Sequence, residues 1–254
     1  MGTLTIEHAN AMPAPTWHRL HVNDVDIELP SGLTAAQQVE VSCEEGLWGE
    51  ADAFDRALLS LADPAPMAAE GGATSEEDAA MEGLDAPALS AYQLQALENR
   101  YLSPADVFTT GMGDEAREYL EFVAGEPVVL ATRPDERTCA TVRVEGVDGA
   151  ANAAAVDVVA APGSSLSLAV ALDSPAPGAG VVGVRLRVFA GADPRVDIMS
   201  TQTLDDSWLA LDYAGILADE RACVRVLQPV LGSGRAYTAL AADLPGNPPP
   251  PDVD

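Results

Sequence analysis

The chain has 254 residues, enough for one large or two small domains with a genuine core. Forty acidic side chains against thirteen basic ones leave a net charge of −27, a field that repels phosphate backbones and argues against nucleic-acid binding. Apolar residues make up 48% and aromatics only 5%, and charges, Pro and Gly interrupt every apolar run before it reaches a bilayer span.

All thirteen basic residues are arginine, which reads as the codon bias of a GC-rich genome. The start, MGTLTIEHANAMPAPTW, lacks the basic n-region and apolar core of a secretory signal, and its Gly2 is a weak myristoylation signal, so the expected address is the cytoplasm. VNDVDIELP (22–30) reads as extended. SGLTAAQQVEVSCEEGLWGEADAFDRALLSLAD (31–63) reads as helical, capped by Ser31, stopped before Pro64 and divided at Gly46 and Gly49. Residues 1–62 are therefore expected to form an α-rich region. The acidic stretch 63–87 has no apolar period and reads as a disordered linker. ALSAYQLQALENRYL (88–102) suits a short amphipathic helix through Leu89, Tyr92, Leu94 and Leu97, and DEAREYLEFVAG (114–125) a second one closing on Gly125. Together they make a helical segment, 88–125.

From Glu126 the period becomes strand-like. PVVLAT, ATVRVEGV, AAVDVVAA, SLSLAVAL, VVGVRLRVFA, RVDIMSTQT, SWLALDY, ACVRVLQPVL and AYTALAADL follow one another with no room for helices between them. Such a series fits either a sandwich or jelly roll, or a parallel β-helix with stacked coils. Hairpin dipeptides are scarce, with one Asp-Gly (148–149) and no Asn-Gly, and the ADxR shape recurs at 192–195 and 218–221. Both features favour stacked coils. A Pro-rich tail, 247–254, cannot continue a ladder.

Few residues suggest chemistry. His18 and His21 share a face only if helical, and a metal there needs a third ligand such as Cys43 or Glu44. Cys43 lies beside two carboxylates that would raise its thiol pKa, while Cys139 and Cys223, within strand runs, read as small apolar fillers. Three distant cysteines support neither a disulfide framework nor a zinc ribbon. TTGMGDEA (109–116) lacks the third glycine and the lysine of a phosphate loop. Asp205–Asp206 and Asp219–Glu220 are adjacent acids, read chiefly as solvated turns and alternatively as the acids of a β-helix or jelly-roll carbohydrate-active enzyme. Ser207 and Ser233 have no triad context. Arg185, Arg187, Arg195, Arg221 and Arg225 offer an outward stripe paired with surface carboxylates.

The ordered residues Gly191–Ile198, Leu217–Val226, Gln228, Leu231-Gly232, Tyr237 and Asp243-Leu244-x-Gly246 resemble the core of the SufB/SufD proteins of bacterial iron–sulfur cluster assembly. TWHRLHVND (16–24) and TTGMGDEAREYL (109–120) are similar to the N-terminal region of SufD-type sequences. The resemblance implies a mainly β fold, a right-handed parallel β-helix over 126–246 preceded by a small, mostly helical region. It also implies a non-catalytic scaffold role beside a SufB-type paralogue and a SufC-type ABC ATPase, with any iron–sulfur cluster confined to the assembled complex. Family members run well beyond the Leu231-Gly232 strand, so the chain is expected to lack the region that docks the ATPase and carries the cluster-building positions. No catalytic, cofactor-binding or metal residue can be carried over.

Overall fold

A computed structural model describes residues 4–9, 25–44, 46–62, 113–175, 177–219, 221–232 and 234–243. Thirteen strands dominate them: β1 (Thr5–Ala9), β2 (Val25–Glu28), β3 (Thr34–Ala36), β4 (Val39–Cys43), β5 (Val128–Ala131), β6 (Arg137–Glu145), β7 (Ala150–Ala160), β8 (Ser165–Asp173), β9 (Gly180–Ala190), β10 (Arg195–Thr203), β11 (Trp208–Ala218), β12 (Cys223–Leu227) and β13 (Arg235–Asp243). Two helices, α1 (Ala53–Ala62) and α2 (Asp114–Ala124), precede the coils.

From β6 onward, alternate strands pair in parallel. One sheet runs β12-β10-β8-β6-β4 and the other β13-β11-β9-β7-β3, with β5 beside β7. Each coil contributes one strand to each sheet, so the chain winds as a parallel β-solenoid of about four turns. The rung Cys139–Ser167–Asp197–Arg225 fixes the coil at 28 or 30 residues. The sandwich alternative is excluded because neighbours in space are alternate strands in sequence, joined in parallel.

The two sheets differ in how their faces are covered, and their sequences show it. Strand β6, RTCATVRVE, alternates exposed and buried at every position, as a sheet with one wet face requires. We call this the open sheet. Strand β11, WLALDYAGILA, is buried throughout. Its sheet is covered on the outside, so the apolar run is continuous. Between the sheets lie Val142, Val144, Leu168, Val170, Val184, Leu186, Val196 and Ile198, all buried in one cluster. Outside the covered sheet, α2 and the β1–β2 pair contribute Leu120, Val123, Ile6 and Ile27 to a second cluster over Val181, Leu209 and Leu211. Helix α1 lays Phe54 and Leu58 on Phe189 and Leu217. Leu120 rests against the Cα of Gly183, where any β-carbon would collide with it.

One corner of the coil repeats with little variation. Asp135, Gly163, Asp193 and Arg221 all have left-handed backbones, φ 58°, 70°, 61° and 57°, each two residues before a strand of the open sheet. Hydrogen bonds climb from coil to coil along it, from Asp135 N to Pro162 O and from Gly163 N to Ala192 O. The ADPR and ADER similarity is out of phase with this repeat. Asp193 stands level with Arg221, not with Asp219, and receives both ends of its guanidinium at 2.6 Å.

Two local expectations change. Residues 34–36 and 39–43, read as helical, are strands, because the first coil needs its edges covered: β3 pairs with β7 and β4 antiparallel with β6. Buried Asn152 holds that corner, receiving the Gln38 N–H at 3.1 Å and donating to the carbonyls of Gln38 at 2.8 Å and Glu145 at 2.6 Å. Tertiary pairing outweighs the local helical pattern there, while 53–62 keeps it. Helix α2 forms as expected and ends at Gly125, φ 72°. The expected linker 63–87, helix 88–102 and tail 247–254 lie outside the described residues.

Candidate interaction surface

Nothing covers the outer face of the open sheet among the described residues. Reading across β6, β8, β10 and β12, parallel register builds three stacked rungs: Arg137–Ser165–Arg195–Cys223, Cys139–Ser167–Asp197–Arg225, and Thr141–Ala169–Met199–Leu227. The last is an apolar stripe whose Met199 and Leu227 are 45% and 60% exposed. Small side chains at Ser167 and Ala169 leave a shallow trough between the stripe and the charged rung. Ion pairs border it, Arg195–Asp197 at 2.9 Å, Arg225–Asp197 at 3.8 Å and Arg143–Asp173 at 2.8 Å. This is a broad, weakly concave surface, not an enclosed pocket.

The cysteines are placed differently from the expectation. Alternation turns Thr138 and Ala140 inward, so Cys139 faces out, and by the same rule Cys223 does too. Neither fills the core; Cys43 is the one packed against it. Cys139 donates to Glu44 Oε1 at 3.2 Å, and that hydrogen bond and the Glu44 charge hold its thiol pKa up. Burial, not a carboxylate, raises that of Cys43. Strands β8 and β10 separate Cys139 from Cys223, about 14 Å over three strand spacings, so the thiols do not converge on a metal or cluster. Among the described residues, no group of three His, Cys, Asp or Glu side chains gathers to hold a metal ion. His18, His21, Glu220 and Ser233 lie outside the described residues.

The acid pairs are not brought together. Asp205 and Asp206 are exposed in the turn before β11, where Asp205 accepts from the Asp206 N–H at 2.8 Å, and Ser207 is exposed beside them. Asp219 follows β11, an 11-residue strand roughly 35 Å long at ~3.3 Å per residue. Gly113 precedes α2, and Glu115 of its first turn is tied to the Glu7 N–H at 3.1 Å.

The arginine stripe divides in two. Arg195, Arg221 and Arg225 lie on the open sheet and its corner, whereas Arg185 and Arg187 are on the outer face of the covered sheet. There Asp157, 1% exposed, accepts from Arg185 Nη1 at 2.5 Å and from Arg187 Nε and Nη2 at 2.8 and 2.5 Å. Glu121 of α2 adds an ionic contact to Arg185 at 3.5 Å, and Phe54 of α1 lies 4.5 Å beneath the Arg187 guanidinium. Burial pushes the Arg185 pKa down; burial also acts against the charge on Arg187, but the bonds and charge of Asp157 together with the charges of Glu121 and Asp55 push its pKa up. Adjacent Tyr213 is pushed up to about 12 by burial. This cluster joins both helices to the solenoid.

A second polar group lies between the sheets near the last coil. Asp212 accepts from Ser200 Oγ at 2.8 Å and Gln202 Nε2 at 3.1 Å, and Gln202 also reaches Thr238 at 3.3 Å. Burial raises the Asp212 pKa. Both clusters were missed from sequence, yet each has a signal: one acid inside an otherwise apolar run, VDVVA and LALDYAG.

Comparison with protein-family models, curated proteins and solved structures finds no match.

Proposed function

We propose that the chain is a non-catalytic scaffold subunit, gripped by protein partners across the open sheet and acting in cytoplasmic SUF iron–sulfur cluster assembly beside a SufB-type paralogue and a SufC-type ATPase. The observation that carries the reading is one of position. The residues whose order resembles SufB/SufD, from Gly191 to Asp243 among the described ones, fall on β10 to β13, consecutive strands of a parallel solenoid such as that resemblance implies.

The surface chemistry supports the same role. An apolar stripe with Met199 at its centre, bordered by ion pairs, suits a protein contact with an apolar core and a polar rim. The inward-facing residues fill the solenoid, leaving the work to outward faces.

Co-expression with a SufB-type paralogue and the ATPase, followed by capture through a tag on this chain, tests the proposal. Recovery of the paralogue, and its loss on Met199→Asp with folding retained, is the expected result. Recovery of neither partner overturns it.

A further inference from the structure

The covered sheet is interrupted at its first-coil edge. Strand β7 pairs with β9 along residues 151–160, but on its other side it meets β3 only at residues 150–152 and β5 only at 156–159. Residues 153–155, about 10 Å of strand, face no strand there among the described residues.

The register shows which groups the gap leaves over. Thr34 N–H bonds to the Gly149 carbonyl at 3.3 Å and Thr132 N–H to the Val159 carbonyl at 3.0 Å, so the odd-numbered residues of β7 turn their amides to this edge. The Ala153 carbonyl and the Ala155 N–H therefore point into the gap. The donor that would continue β3, the Gln38 N–H, goes instead to Asn152 Oδ1 at 3.1 Å. No backbone acceptor among the described residues takes the Ala155 N–H. Both alanines are 2% exposed, and unpaired backbone groups so poorly hydrated are costly. A cavity of about 340 Å³ lies in front of them.

One residue of a strand running parallel to β7 matches this pair. Level with Ala154, it gives its N–H to Ala153 and accepts from Ala155 with its carbonyl. Its side chain points the same way as that of Ala154, a member of the inter-sheet core, toward Val39 and Val128 packed against that core. Those walls suit an aliphatic side chain. The next residue emerges at the β5 end, where Glu126 is exposed and pairs with no cation among the described residues. We infer that the gap takes an extended segment of a partner protein by parallel β-augmentation, with an aliphatic residue level with Ala154 and a basic residue after it. The net charge of −27 favours a basic segment over an acidic one. The site stands apart from the open-sheet contact and from the SUF setting, and its test uses neither.

Fluorescence anisotropy of a labelled peptide, Gly-Ser-Thr-Val-Arg-Ser-Gly, titrated with the whole chain in about 0.15 M salt tests it. Saturable binding is expected. N-methylation of the valine removes the N–H given to Ala153 while keeping charge and side chain, and is expected to weaken binding about tenfold. Replacing the peptide arginine by glutamate weakens it similarly, and Glu126→Arg, at an exposed position, reverses that preference. No binding to the whole chain at about 1 mM overturns the inference, and is the result expected if the chain's own residues or a second copy already hold the edge. Binding indifferent to N-methylation or to Glu126→Arg overturns it as well.

Discussion

Replacing Asp157 by Asn keeps the shape of the side chain and removes its charge from beneath two arginines. Arg185 and Arg187 side chains are 3% and 21% exposed, so neither can turn to water without moving α1 or α2. Each Arg–Asp attraction is on the order of 4 kcal/mol at ~4 Å and an effective dielectric near 20, and that attraction offsets the desolvation already pushing the Arg185 pKa down. Breaking a buried pair by removing one partner costs about 3–5 kcal/mol. For a chain this size that is a fall in Tm of roughly 6–20 °C. Urea denaturation followed by circular dichroism reads the cost, with Asp197→Asn as control. Asp197 pairs with Arg195 at 2.9 Å on the open sheet, both side chains over a third exposed, and its loss is expected to cost less than about 1 kcal/mol. If the two variants cost the same, the covered-sheet cluster is not the clamp described.

Burial raises the Asp212 pKa from 3.8, so the folded state holds a proton that the unfolded state has released. Stability from this group therefore falls as pH rises from about 3.8 through the folded value. Asp212→Asn is expected to gain on the wild type across that window, measured by urea denaturation at a series of pH values, and a constant difference refutes it. Leu120→Ala, at a fully buried position over Gly183, is expected to cost about 2–5 kcal/mol in the same assay. Gly180→Ala drives a methyl into the Ala150 carbonyl and to within 2.8 Å of the Trp208 ring, and is expected to lower Tm more than Gly191→Ala, where the nearest atom to the added methyl, the Ala160 carbonyl oxygen, is 3.3 Å away. Glu44→Ala removes the hydrogen bond and the charge that hold the Cys139 thiol pKa up, so alkylation of Cys139, followed by peptide mass spectrometry at pH 8, is expected to accelerate severalfold while Cys223 serves as the internal reference.

From β6 onward, strand positions in the open sheet were legible, as in ATVRVE, because alternation with one wet face records both the strand and its facing. The coil period was harder to read. Residues level with one another are two strands apart, so spacings between neighbouring strands measure half a coil, and the ADPR–ADER likeness matched positions two residues out of step. Strands β3 and β4 were hidden because what fixes them is remote: Asn152 and the edges of β6 and β7. The facing of Cys139 followed from alternation once its strand was extended back to Arg137, a start the shorter run ATVRVEGV omits. Asp157 and Asp212 were passed over because their partners come from other coils, and no local pattern brings a charge 28 residues away into contact.

The left-handed corner at Asp135, Gly163, Asp193 and Arg221 quantises the length of this chain. Excising the segment between successive corners removes one whole winding and lets the strands above settle onto those below, inward residues still inward. A cut one residue longer or shorter reverses the facing of every strand that follows in the altered register. Growth or loss by complete windings is therefore the cheap direction for such a molecule to vary, and a shift of one residue the expensive one.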